Sequence, residues 1–66
     1  MKNKIKELRK ARKIRQEDLA GQLNVSRQTI NAIENNKYNP TLELAMKLAK
    51  LLESTVEELF FLEDGK

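Results

Sequence analysis

Sixty-six residues make one domain near the small end of what folds unaided, and with no Cys and no His they exclude disulfides, thiolate or imidazole metal sites and imidazole acid–base catalysis. Two glycines are too few for a phosphate-cradling loop, no apolar run approaches the roughly 20 residues of a membrane span, and no signal-peptide pattern opens the sequence, so a cytoplasmic single domain over 1–66 without metal or cofactor is expected. The net charge of +3 is unevenly divided: residues 1–16 carry eight Lys/Arg against one Glu, residues 17–50 four of each sign, and residues 51–66 one Lys against five acids.

The first predicted helix, about 3–13, holds most of that basic charge, with Ile5 and Leu8 turned inward. Such segregation suggests that one end faces a polyanion while the other faces away, although a solvated basic helix would look the same. A second helix spans about 16–23 and buries Leu19, Ala20 and Leu23. Asn24-Val25 leaves room only for a tight turn, in which Asn tolerates the left-handed conformation.

Ser26 caps a third helix, about 27–35, and the segment Asn35 to Pro40 reads as the one clear loop. Thr41 caps a fourth helix, about 42–53, apolar over more than half its circumference and therefore expected at the centre of the domain. On its flank stand Leu44 and Leu51. Thr55-Val56-Glu57-Glu58 has the form of a capping box opening a short fifth helix, whose Val56, Leu59 and Phe60 close the core. Phe61 and Leu62 prolong the apolar run beyond what a small core needs.

The 20 residues from Gln16 to Asn35 form two short helices joined by a tight turn, which is what a helix-turn-helix requires. Ala20 is small where the two helices approach, and Leu19, Leu23, Val25, Ile30 and Ile33 lock them together. On helical spacing, Arg27, Gln28, Asn31 and Ala32 share the face of the third helix opposite Ile30 and Ile33. A guanidinium matches the two acceptors of guanine, a carboxamide matches adenine, and a methyl touches thymine in the major groove. Gln16, beside the free N–H groups that open the second helix, sits where an anion is favoured.

The sequence resembles the phage-repressor or Cro-like helix-turn-helix regulators, the xenobiotic-response-element type, along essentially its whole length. Leu8-Arg9, Gln16 to Ala20, Val25 to Ile30, Asn31 to Asn35, Pro40-Thr41-Leu42 and Glu57 to Phe60 carry the likeness. The resemblance implies an all-α, five-helix fold of the lambda-repressor-like type, with the second and third helices forming the motif, in a minimal member without a ligand-binding domain. It implies a sequence-specific regulator of double-stranded DNA, a repressor on a palindromic operator, acting as a homodimer. It assigns base reading to Arg27, Gln28, Asn31 and Ala32, and phosphate contacts to Gln16, Asn35, Lys37, Tyr38 and Asn39. It makes Arg9 and Glu34 a structural salt bridge between the first and third helices.

Surplus apolar groups at Phe61, Leu62, Leu44 and Leu51 suggest that the C-terminal segment 56–62 dimerises, an arrangement suited to half-sites one helical turn apart. No small-molecule ligand or membrane partner is indicated. An enzyme is not expected, because the acids are scattered. The competing reading is an antitoxin or protein-interaction module whose main partner is another protein. Two departures stand out: Lys13 where the family often has Gly, and Arg15 where it usually has Ser or Thr, a lost N-cap worth about 1 kcal/mol.

Overall fold

The first and last elements among the described residues meet in space. In the computed structural model, which describes residues 1–62, β1 (Lys2–Asn3) pairs antiparallel with β2 (Phe60–Phe61), Lys2 opposite Phe61 and Asn3 opposite Phe60. Between them run α1 (Ile5–Ala11), α2 (Gln16–Leu23), α3 (Arg27–Glu34), α4 (Leu42–Leu51) and α5 (Val56–Leu59). Glu63, Asp64 and Lys66, which contribute to the acidic C-terminal segment, lie outside the described residues.

Each helix sends its apolar stripe into one core. Ile5 of α1, Leu19 of α2, Ile30 and Ile33 of α3, Leu48 of α4, Leu52 at its C-cap and Leu59 of α5 are all but inaccessible. Burying one such side chain stabilises by about 1.5–3 kcal/mol relative to leaving it in water. The α2 and α3 boundaries follow the periodicity closely. By contrast, α1 is shorter at both ends than its pattern suggested, and α4 stops two residues early.

The early stop has a recurring cause. At Lys13, Asn24, Asn36 and Glu53 the backbone is left-handed, with φ of 59°, 59°, 62° and 54°. At each, the N–H bonds three residues back and the following N–H bonds five residues back: Lys13 to Lys10 and Ile14 to Arg9, Asn24 to Gly21 and Val25 to Ala20, Asn36 to Ile33 and Lys37 to Ala32, Glu53 to Lys50 and Ser54 to Ala49. This paired pattern is the Schellman motif, which satisfies the last carbonyls of a helix through one left-handed residue. Four consecutive helices therefore end in the same way. Asn accepts that conformation readily; Lys13 and Glu53 carry a Cβ penalty.

The starts are less uniform. Ser26 Oγ accepts the N–H of Thr29 at 3.1 Å, Thr41 Oγ1 that of Leu44 at 3.2 Å, and Thr55 Oγ1 that of Glu58 at 3.1 Å. Half the expected capping box is thus made, while the Glu58 carboxylate turns to Ser54 Oγ at 3.5 Å. Arg15 makes no side-chain cap bond for α2, as its departure from Ser or Thr implies. Asn3 performs two tasks: its Oδ1 accepts the Ile5 N–H at 3.1 Å, and its Nδ2 donates to the Ile33 carbonyl at 2.8 Å. It thereby ties the start of α1 to the end of α3.

Candidate nucleic-acid interface

Asn24, Val25 and Ser26 turn the chain sharply between α2 and α3, and the left-handed Asn24 is what makes so short a connection possible. Buried Ala20 lets the two helices approach, with Leu19 and Leu23 on one side and Ile30 and Ile33 on the other. Packing the apolar side of α3 in this way leaves its opposite side in solvent. There Arg27, Gln28 and Asn31 are exposed and Ala32 is half-buried.

Gln16, at the first turn of α2, joins them: Gln16, Arg27, Gln28 and Asn31 line one open depression of about 420 Å³. Among the described residues this surface offers a guanidinium and three carboxamides within a single patch. Asn35 Nδ2 donates to Asn31 Oδ1 at 3.1 Å, so the amide at the end of α3 restrains one in its middle. Beyond it, Asn35, Lys37, Tyr38 and Asn39 are all exposed on the loop leading to α4.

Behind the patch lies a charged network. Arg9 Nε donates to Glu34 Oε2 at 2.7 Å and its second amino nitrogen to Oε1 at 3.3 Å, while Nη1 donates to the Ile14 carbonyl at 2.9 Å. The Glu34 side chain is 2% exposed. Such a pair is tolerable in a core because every charge is hydrogen-bonded; removing one partner strands the other. Gln16 Nε2 also donates to Glu34 Oε1, at 2.9 Å, a bond that sequence spacing did not reveal. Glu17 sits in the first turn of α2. It lies 3.9 Å from Arg27 and 3.8 Å from Arg15, both exposed pairs.

Part of the basic charge of the N-terminal third lies beside acidic side chains instead of on this surface. Arg12 Nη2 bonds Glu53 at 3.0 Å, Lys4 shares a groove with Glu57 and Glu58, and Lys13 shares one with Glu17 and Asp18. The β1–β2 ribbon sets Lys2 opposite Phe61, so the basic start of the chain lies beside the last of the described elements.

Of the four apolar residues expected at an interface, Phe61 is 38% exposed and Leu62 74%. Leu44 and Leu51 are instead half-buried against their own core. The apolar residues that α4 does present to solvent are Leu42 and Met46. No group of three metal-ligating side chains occurs among the described residues, and no helix there is long and apolar enough to cross a membrane.

Comparison with known proteins agrees with this geometry. A helix-turn-helix family model matches residues 5–59. The chain is 53% identical over 66 residues to the HTH-type transcriptional regulator MJ0272 of Methanocaldococcus jannaschii, covering all of both chains. It is 45% identical over 64 residues to the HTH-type transcriptional regulator YgzD of Bacillus subtilis, covering 97% of each. It is 41% identical over 64 residues to an HTH-type transcriptional regulator of Archaeoglobus fulgidus, covering 97% of this chain and 91% of that protein. The chain belongs to the Cro/C1-type helix-turn-helix family, whose members are DNA-binding transcription regulators.

Proposed function

We propose that the protein is a repressor that binds a palindromic operator as a homodimer in a prokaryotic cytoplasm, and that it acts by occupying the promoter without chemistry of its own. The observation that carries this reading is the single patch formed by Gln16, Arg27, Gln28 and Asn31 on the solvent side of the helix-turn-helix. Arg27, Gln28 and Asn31 read base edges, with Ala32 in apolar contact, because guanidinium and carboxamide groups match the acceptor and donor pattern of the major groove. Gln16, Asn35, Lys37, Tyr38 and Asn39 hold the sugar–phosphate backbone, which sets register without reading sequence. Two copies are held at the half-site spacing through Phe61 of β2 and Leu62 just after it, both exposed apolar groups.

The test is footprinting on DNA upstream of the protein's own gene, followed by binding measurements on the protected site. Arg27→Ala costs about 1–3 kcal/mol there and relaxes preference at one or two base pairs per half-site. Lys37→Ala weakens operator and random DNA alike and lowers the slope of log affinity against log salt by about one. Equal, uniform losses from both variants would refute the division between readers and anchors.

A further inference from the structure

The Gln16 side chain has a carboxamide whose two ends differ chemically but not in shape: one end donates two hydrogen bonds, the other only accepts. To grip a phosphate it must present a donor, and nothing in its own rotamer selects that end. The structure supplies the selection from behind. Glu34 Oε1 lies 2.9 Å from Gln16 Nε2, and an ionised carboxylate can only accept. A flipped amide would bring two oxygens together at that distance, so the Glu34 contact holds the NH₂ end in place.

From this we infer that Glu34 is a positioning residue for DNA binding: it fixes the orientation of the Gln16 amide so that the second N–H stays available to a backbone phosphate. The inference rests on the regulator reading above and deepens it by giving the buried ion pair a part in recognition.

A carboxylate beside a phosphate site would ordinarily repel the ligand. Arg9 removes that objection, since its Nε and second amino nitrogen both bond Glu34 and its Nη1 is held by the Ile14 carbonyl. The pair is neutral as a unit and closed to water, with 9% and 2% of the two side chains exposed. Arg9 neutralises, Glu34 orients, and Gln16 makes the contact. The three residues come from α1, α3 and α2, so the arrangement also locks the start of α2 to the end of α3, on whose outer face Arg27, Gln28 and Asn31 sit.

The experiment is a double-mutant cycle on operator binding, with Gln16→Ala, Glu34→Gln and the two combined. Each substitution alone lowers affinity about two- to tenfold, the range of one hydrogen bond. The double variant binds no worse than Gln16→Ala, because Glu34 then has no amide to orient. A purely structural Glu34 would cost the same fold in both backgrounds, and that additive result overturns the inference. Should the parent protein itself bind no duplex, the regulator reading fails first and visibly, before any variant is compared. A second measurement needs neither DNA nor a folded Glu34 variant. In ¹⁵N-labelled parent protein the two Nε2 protons of Gln16 are widely split, one shifted downfield by the carboxylate and slow to exchange. Two near-equivalent, rapidly exchanging protons would overturn the inference outright.

Discussion

Lys13→Gly should stabilise this protein, although it removes a side chain and a charge. Lys13 is exposed and sits at φ 59°, where the Cβ of an L-residue approaches its own carbonyl at a cost of about 1–2 kcal/mol. Glycine relieves that strain but gives back about 0.5–1 kcal/mol, because its unfolded chain has more freedom to lose. The net gain is about 0.5–1 kcal/mol, and 1 kcal/mol moves the midpoint of a domain this size by about 4–8 °C. The Schellman bonds from Lys13 to Lys10 and from Ile14 to Arg9 are backbone bonds and survive the change. Asn24→Gly is the internal comparison: the φ is the same, but Asn bears less strain, so its gain is smaller. Glu53→Gly relieves similar strain yet loses the exposed bond from Arg12, so it too falls below Lys13→Gly. Thermal unfolding followed by circular dichroism ranks the three. A Lys13→Gly midpoint at or below the parent's, or an Asn24→Gly gain exceeding it, would refute the strain argument.

Gly21→Ala, at an exposed position inside α2 where an added Cβ meets nothing within 4 Å, should raise stability by up to about 1 kcal/mol; denaturant midpoints measure it. Glu34→Ala leaves the buried Arg9 guanidinium without its carboxylate and should cost about 3–5 kcal/mol. The whole domain is worth only about 3–10 kcal/mol, so this variant should melt far below the parent, and an unchanged melt would show that the pair is not structural. Phe61→Glu should shift sedimentation towards monomer and lower operator affinity while helical content is kept. A variant still fully dimeric at micromolar concentration would place the interface elsewhere.

Much of the fold was legible because local chemistry and tertiary demand coincide. Leu19, Ala20, Leu23, Ile30 and Ile33 recur at helical spacing, Ser26, Thr41 and Thr55 each accept the N–H three residues on, and Asn24 occupies the turn that needs a left-handed residue. Arg27, Gln28 and Asn31 could be placed on one face of α3 from the period alone, since the apolar residues opposite determine which way the helix must lie. The β1–β2 ribbon left no such trace. Two residues per strand give no alternation to detect, and their pairing spans nearly the whole chain.

What the order of residues determined by itself was therefore helical: the apolar period, the caps, the helix-turn-helix spacing and the set of polar groups left on the outside of α3. Only the tertiary structure decided where separate elements meet. It joined Asn3 to the Ile33 carbonyl, Gln16 to Glu34, and Arg12 to Glu53, contacts between residues 18 to 41 positions apart. It also folded a basic N-terminal segment against acidic residues from later in the chain, and turned Leu44 and Leu51 inward while leaving Leu42 and Met46 outside. The physical reason is common to all of these. Periodicity reports which side of one helix avoids water, whereas a bond between two elements depends on how several such sides are satisfied at once, and no local window of residues contains that information.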